Sequence, residues 1–128
     1  PVDSKAVAFE VAGREAFKLA FREAGPVLLE PIMNVRITVP EANMGDVLSD
    51  LNTRRARVQG MENERGRSIV TALVPLAEML RYASELRSIT GGRGIFTMSL
   101  NQYEVVPQHV AQHVIAARQK ELSKEESD

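Results

Sequence analysis

The fold is decided by residues 32–40, which read IMNVRITVP. From Met33 to Val39 every second residue is apolar, and the residues between them are polar. Successive side chains of a strand point to opposite faces of a sheet, so this alternation is typical of a strand with one buried face and one wet face. The stretch therefore predicts a strand from Ile32 to Pro40.

The apolar spacing becomes helical directly after this strand. Residues at i, i+3, i+4 and i+7 are apolar, namely Met44, Val47, Leu48 and Leu51. Side chains with this spacing share one face of an α-helix. The pattern predicts a helix over residues 43–55.

Four more elements complete the pattern. Strands are predicted over residues 57–62 and 68–74, and residues 63–67 have the Asn, Gly and charged composition of a hairpin turn. A second helix is predicted over residues 76–88, with Met79, Ala83 and Leu86 facing inward. Residues 96–103 alternate again and predict a last strand.

The order strand, helix, strand, strand, helix, strand is the split βαβ plan of ferredoxin-like domains. We expect an α+β sandwich in which two helices cover one face of a four-stranded antiparallel sheet. Enzymes, regulatory ligand-binding domains and RNA-binding domains all use this plan, so it fixes no function.

The N-terminal segment predicts a helix and a short strand that precede this domain. Alanines recur at every fourth position with phenylalanines beside them, at Ala8, Ala12, Ala16, Ala20, Phe9, Phe17 and Phe21. This spacing predicts a helix that begins near Asp3 or Ser4 and ends at Gly25. Residues 27–30 then predict an extended segment that Pro31 closes.

The C-terminal segment predicts a polar helix that opens at Pro107 and decays into a charged tail. His109 and His113 lie four residues apart on it, which places both rings on one face. No third ligand is evident beside them, so we interpret them as surface histidines and expect no metal site.

Composition excludes several classes of protein. The 128 residues are 44% hydrophobic and 26% charged, with a net charge of −1 and no cysteine. A disulfide framework and a thiolate metal cluster are therefore excluded. No apolar run approaches the ~20 residues needed to cross a bilayer, which predicts a cytoplasmic protein. All methionines are predicted to fill the core, namely Met33, Met44, Met61, Met79 and Met98.

Two groups of residues are candidate binding elements. Five arginines cluster with only Glu62 and Glu64 as acidic neighbours, namely Arg54, Arg55, Arg57, Arg65 and Arg67. Their guanidinium groups could either complement the end of a helix or bind RNA phosphates. Arg93 is set among Gly91, Gly92 and Gly94, a loop that could form either a phosphate-binding nest or a helix cap.

Several linked motifs resemble the last part of the elongation factor G family. They are GPVLLEP at 25–31, MGDV at 44–47, NTRR at 52–55, VPLAEM at 74–79, GRG at 92–94 and YEVVP at 103–107. The resemblance implies that residues 1–30 end domain four of such a factor, that residues 31–107 form domain five, and that residues 108–128 form a C-terminal helix and tail.

The same resemblance implies a role in translation. Domain five of the family docks on large-subunit ribosomal RNA near the GTPase-associated centre, beside the stalk-base protein. Arg54, Arg55, Arg57, Arg65, Arg67 and Arg93, with the loop of Gly91, Gly92 and Gly94, are the RNA-binding residues that it implies. The family's phosphate-binding loop has no counterpart here. We therefore expect no catalytic residue, small-molecule substrate or cofactor in this region, with GTP and Mg²⁺ used by the full-length protein.

Some positions depart from the family pattern, and two other functions share the fold. Ala56, Gly91 and the pair Asn101-Gln102 replace the residues that the family commonly has, so the resemblance fits either an elongation factor G or a paralogue of it. An amino-acid-sensing regulatory module is one alternative. An acylphosphatase-like hydrolase is the other, and it would use Arg93, or Arg36 with Asn34.

Overall fold

The structure of the protein is a computed structural model that describes residues 7–11, 14–22, 25–112, 116 and 120. The chain divides into two compact units. One comprises Pro1–Glu30 with Tyr103–Asp128, and the other comprises Pro31–Gln102.

Strands dominate the described part of the chain. They are β1 Val7–Val11, β2 Arg14–Arg22, β3 Gly25–Pro40, β4 Arg57–Glu64, β5 Arg67–Pro75 and β6 Ile95–Val105. The helices are α1 Met44–Asn52 and α2 Tyr82–Thr90. A short 3-10 turn precedes each helix, at Glu41–Asn43 and Leu76–Met79.

The unit Pro31–Gln102 confirms the ferredoxin-like prediction. Its elements follow the order β3, α1, β4, β5, α2, β6. β5 pairs antiparallel with both β3 and β4, and β6 pairs with β3. The register places Val35 opposite Ala72 and Ile37 opposite Val70, so the two central strands turn the same apolar face to the helices.

The core of this unit lies between the central strands and the two helices. Six strand residues there are at most 1% exposed, namely Val35, Ile37, Val39, Val70, Ala72 and Val74. α1 adds Val47 and Leu51, and α2 adds Tyr82 and Leu86. Removing these side chains from water is the main favourable contribution to folding, at about 25 cal/mol per Å² of apolar surface.

The second helix differs from its prediction. The predicted span 76–88 is a 3-10 turn and a separate α-helix, because Arg81 (φ −120°, ψ 16°) interrupts the helical geometry between them. The buried residues are Met79, Tyr82 and Leu86, whereas Ala83, predicted to face inward, is exposed. The large Tyr82 ring buries far more surface than an alanine methyl group, which favours this phase.

The prediction that all methionines fill the core is only partly correct. Met79 is buried, and Met33 and Met44 pack against the core. Met61 is 56% exposed and Met98 is 42% exposed. The helices cover the central strands β3 and β5, while these two methionines lie on the outer strands β4 and β6.

The predicted N-terminal helix is wrong. β1 and β2 form an antiparallel pair in which Val11 lies opposite Arg14, and β2 also pairs with β3. A spacing of four residues returns to the same face of a strand as well as to nearly the same face of a helix, so the alanines could not distinguish the two. Pairing of residues 18–22 with β3 holds this segment as a strand. The predicted helix start near Asp3 and Ser4 lies outside the described residues.

Pro31 does not close a strand, as predicted, but lies inside β3. The residues of β3 that pair with β2 end at Leu29, and those that pair with β5 begin at Ile32. Proline has no backbone N–H to donate to a ladder, so it is tolerated where one partner strand gives way to the next. β3 consequently continues from Gly25 to Pro40.

The hairpin between β4 and β5 has a two-residue turn. Arg65 (φ 52°) and Gly66 (φ 77°) are both left-handed, and Glu64 lies opposite Arg67. Two consecutive left-handed residues are the signature of a type I′ turn, whose twist matches that of the flanking strands. The predicted turn is confirmed, and Arg65 lies at its tip.

The start of the predicted C-terminal helix is also confirmed. Residues 108–112 are helical, and the amides of Val110 and Ala111 donate to the Pro107 carbonyl. The rest of this helix, including His113, lies outside the described residues apart from residues 116 and 120. Where the chain is described, it contains no helix long and apolar enough to cross a membrane.

We predict opposite effects of alanine at two glycines. A Cβ atom at Gly94 would lie 2.9 Å from Thr90 Oγ1 and 3.0 Å from Leu86 Cγ. We expect Gly94→Ala to lower the free energy of unfolding by about 1–3 kcal/mol through this overpacking. Gly45, within α1, has no atom within 4 Å of such a Cβ, so Gly45→Ala should raise it by up to about 1 kcal/mol. Urea denaturation measures both, and a Gly94→Ala protein as stable as the parent would contradict the packing described.

Candidate nucleic-acid interface

The β4–β5 hairpin separates the arginines that are clustered in sequence. Arg57 begins β4, whereas Arg65 follows its last residue. Eight residues at ~3.3 Å each place these two positions roughly 25 Å apart. We call Arg54, Arg55 and Arg57 the corner group.

Arg54 is bound to groups of the protein itself. Its Nε donates to Asp50 Oδ2 at 2.8 Å, and its Nη1 donates to the carbonyl of Glu78. The guanidinium carbon lies 5.0 Å from the centre of the Tyr82 ring. Only 15% of the side chain is exposed, so the planar fork that would grip a phosphate is already engaged. Arg54 joins the end of α1 to the segment before α2.

Tyr82 is the buried aromatic residue over which the Arg54 guanidinium lies. Its ring is fully buried and meets Phe96 edge to face at 5.0 Å. Burial raises the pKa of the Tyr82 phenol to about 12, and the Asp50 carboxylate acts in the same direction while Arg54 opposes it. The hydroxyl has no hydrogen-bond partner among the described residues. Tyr82 is therefore a neutral core residue at physiological pH.

The other two members of the corner group are more accessible. Arg55 is left-handed (φ 56°), and its Nε lies 3.4 Å from Glu78 Oε2. Arg57 is exposed at the first position of β4, opposite Leu73. Asp50 pairs with Arg54 and Glu78 pairs with Arg55, so acidic neighbours reduce the positive charge of this group.

Arg65 and Arg67 flank Gly66 at the tip of the hairpin. Both side chains are exposed, and neither forms an ion pair with another described residue. The tip is held in place because the amide of Glu41 donates to the Gly66 carbonyl at 3.1 Å. Two guanidinium groups are thus presented to solvent on a fixed backbone.

The loop of Gly91, Gly92 and Gly94 is a helix cap. The amides of Gly91 and Gly92 donate to the Arg87 carbonyl, and Gly91 is left-handed (φ 62°). The amide of Arg93 donates to the Thr90 carbonyl, and that of Gly94 donates to Thr90 Oγ1 at 2.8 Å. Because these amides are engaged within the cap, they do not form a phosphate-binding nest.

Arg93 lies at the same end of this unit as the hairpin tip. Asn43 Nδ2 donates to the Ile89 carbonyl at 3.2 Å, which joins the end of α2 to the 3-10 turn that begins with Glu41. Glu41 in turn contacts Gly66. Arg93 is exposed, and its Nε donates only a long 3.4 Å bond to the Thr90 carbonyl. We call Arg65, Arg67 and Arg93 the tip group.

Within the described residues, no group of three or more His, Cys, Asp or Glu side chains could hold a metal ion.

The face of the sheet away from the helices carries a polar groove that was not predicted from the sequence. It includes Arg36 and Asn34, which the sequence raised only for a hydrolase. The signal that could have found it is the run of polar side chains at the wet positions of β3.

We predict that Arg54→Gln destabilises the protein. The substitution removes the charge-assisted bonds to Asp50 and to the Glu78 carbonyl and the cation–π contact with Tyr82. We expect the free energy of unfolding to fall by about 1–3 kcal/mol in urea denaturation. Arg65→Gln makes the same charge change at an exposed position and should leave it unchanged. Equal effects of the two substitutions would contradict the role assigned to Arg54.

Comparison with known proteins identifies the family. Residues 27–114 match the family described as Elongation factor G C-terminus. The chain is 54% identical over 117 residues to elongation factor G of Aquifex pyrophilus, an alignment that covers 91% of this chain and 17% of that relative. It is also similar to a crystal structure from Thermus thermophilus, with a TM-score of 0.70 and 46% identity over 79% of this chain and 15% of that one. It thus spans less than a fifth of either protein, and it belongs to the elongation factor G C-terminus family.

Proposed function

We propose that this chain is the ribosome-docking region of a translocation factor and that the tip group binds large-subunit ribosomal RNA. The observation that carries the proposal is the placement of Arg65, Arg67 and Arg93 at one end of the ferredoxin-like unit. All three are exposed, and none forms an ion pair with another described residue. Family membership supports the ribosome as the partner.

The chemistry of the tip group suits a phosphate backbone. A guanidinium group donates through a planar fork that matches two phosphate oxygens, and it stays charged at any physiological pH. The net charge of the chain is only −1, so attraction to RNA must come from a local concentration of positive charge. The I′ turn and the helix cap supply that concentration on rigid backbone.

The corner group has a different part in the proposal. Arg54 positions the end of α1 and contributes through stability, because its guanidinium is engaged inside the protein. Arg55 and Arg57 are more accessible and provide secondary RNA contacts. Glu78 lies beside Arg55 and weakens the attraction of this group for phosphate.

The remaining proposals concern the full-length protein. The relative from Aquifex pyrophilus is named elongation factor G. By that likeness, we propose that the full-length protein hydrolyses GTP with Mg²⁺ in the cytoplasm, with residues outside this chain as the catalytic apparatus. In this proposal the chain supplies binding and no catalysis, and the stalk-base protein is a second partner beside the RNA.

We predict that Arg65→Gln combined with Arg67→Gln weakens binding to purified large ribosomal subunits and flattens its salt dependence. Each phosphate contact that is lost should reduce the slope of log K against log salt by about 0.7–0.9. Arg81→Gln is the matched control, since Arg81 is exposed and precedes α2 at the opposite end of that helix from Arg93. A slope that is unchanged in the double variant would sink the assignment of the tip group.

A further inference from the structure

The face of the sheet opposite the helices carries a polar groove. Its volume is about 220 Å³, and it lies on β3 with walls from β5 and β6. Its polar side chains are Asn34, Arg36, Thr71, Thr97 and Ser99. One water molecule needs roughly 10–15 Å³ of such volume, so the groove has room for a small polar group.

The lining of this groove favours an anion. Arg36 is its one charged residue, and no carboxylate lines it. Arg36 is exposed and forms no ion pair with another described residue. Three hydroxyl groups line the same space from β5 and β6, the strands on either side of β3, and each can donate to an anionic oxygen.

The side chain of Asn34 lies beside that of Asn101, with Asn101 Nδ2 3.5 Å from Asn34 Oδ1. A side-chain amide carries both donors and an acceptor, so Asn34 adds a polar group that can meet a phosphate oxygen or a sugar hydroxyl. The polar groups of the groove are thus a guanidinium, an amide and three hydroxyls.

We propose that this groove binds the ribose-phosphate backbone of ribosomal RNA, with Arg36 on the phosphate and the hydroxyls of Thr71 and Ser99 on the sugar or the phosphate oxygens. The inference rests on the proposed function and extends it to a second surface. No aromatic side chain lines the groove, so it offers no platform on which bases could stack. Recognition here is therefore of the backbone and independent of sequence.

The exposure of the lining favours a polymer over a free small anion. Arg36, Thr71, Thr97 and Ser99 are all exposed. A single charge in open water holds an isolated phosphate weakly, because solvent screens the attraction. An RNA strand already bound at the tip group brings further phosphates at high effective concentration, so weak contacts here add to the affinity.

The test is binding of the 128-residue chain to purified large ribosomal subunits across a salt series. We expect Arg36→Gln to reduce the salt slope by about 0.7–0.9, as for one lost phosphate contact. We expect Thr71→Val with Ser99→Ala to weaken binding about 3- to 10-fold with the slope unchanged, because these hydroxyls carry no charge. Arg81→Gln is the charge-matched control. Urea denaturation of each variant establishes that it is folded.

The outcomes separate this inference from the proposed function. If Arg65→Gln with Arg67→Gln flattens the slope and Arg36→Gln does not, the groove assignment alone is overturned. If the unsubstituted chain does not bind the subunits, both proposals fail. A third possibility is that the groove binds free phosphate, and titration of the ¹⁵N-labelled chain with inorganic phosphate tests it. Saturable shifts of the amides of residues 97–99, with ribosome binding unaffected by Arg36→Gln, would make the groove a free-phosphate site and overturn the RNA assignment.

Discussion

The structure depends on covering one face of the strand pair β3–β5. Six side chains on that face are at most 1% exposed, and two strands cannot hide them without a second layer. α1 and α2 supply that layer with Val47, Leu51, Tyr82 and Leu86. Because both helices pack on the same face, the opposite face of the sheet keeps its polar residues and its groove. The ends of the helices are fixed by the same packing.

This packing assigns different roles to residues that look alike in sequence. At the corner, Arg54 crosses from α1 to the Glu78 carbonyl and lies over Tyr82, so its charge stabilises the fold. At the tip, the I′ turn presents Arg65 and Arg67 to solvent, and contacts through Glu41 and Asn43 bring Arg93 to the same end. The length of β4 keeps the two groups apart. Burial and existing partners, more than residue type, decide which arginines remain accessible to an external anion.

The central domain could be predicted from its sequence because its periodicities are unambiguous. Alternation over residues 32–40 and helical spacing at Met44 to Leu51 each favour a single structure. The N-terminal alanines at every fourth position fit both a helix and a strand, and pairing with β3 decided the outcome. The break at Arg81 could not be predicted either, since burial of Tyr82 against Phe96 depends on a strand that comes later in the chain.

The candidate site was predicted by residue type but not by arrangement. The sequence selects the arginines, and its predicted strand over residues 57–62 separates Arg57 from Arg65, but it contains no signal that Arg54 is engaged by Asp50 and the Glu78 carbonyl. It also left open whether Gly91 to Gly94 form a nest or a cap. The fold answers that question: the amides of Gly91 and Gly92 donate to the Arg87 carbonyl, and the amide of Arg93 donates to the Thr90 carbonyl. The groove around Arg36 requires β3, β5 and β6 side by side, which is a property of topology.

The central claim is that the tip group meets the ribosome while the Arg54 corner serves the fold. Hydrogen–deuterium exchange of the chain, with and without purified large ribosomal subunits, tests it most directly. Binding should slow exchange of amides in residues 62–68 and 90–97 strongly, and that of residues 50–56, where Arg55 makes only a secondary contact, much less. Slowed exchange at residues 50–56, with none at the hairpin tip, would contradict the division of roles and return the RNA contact to the corner.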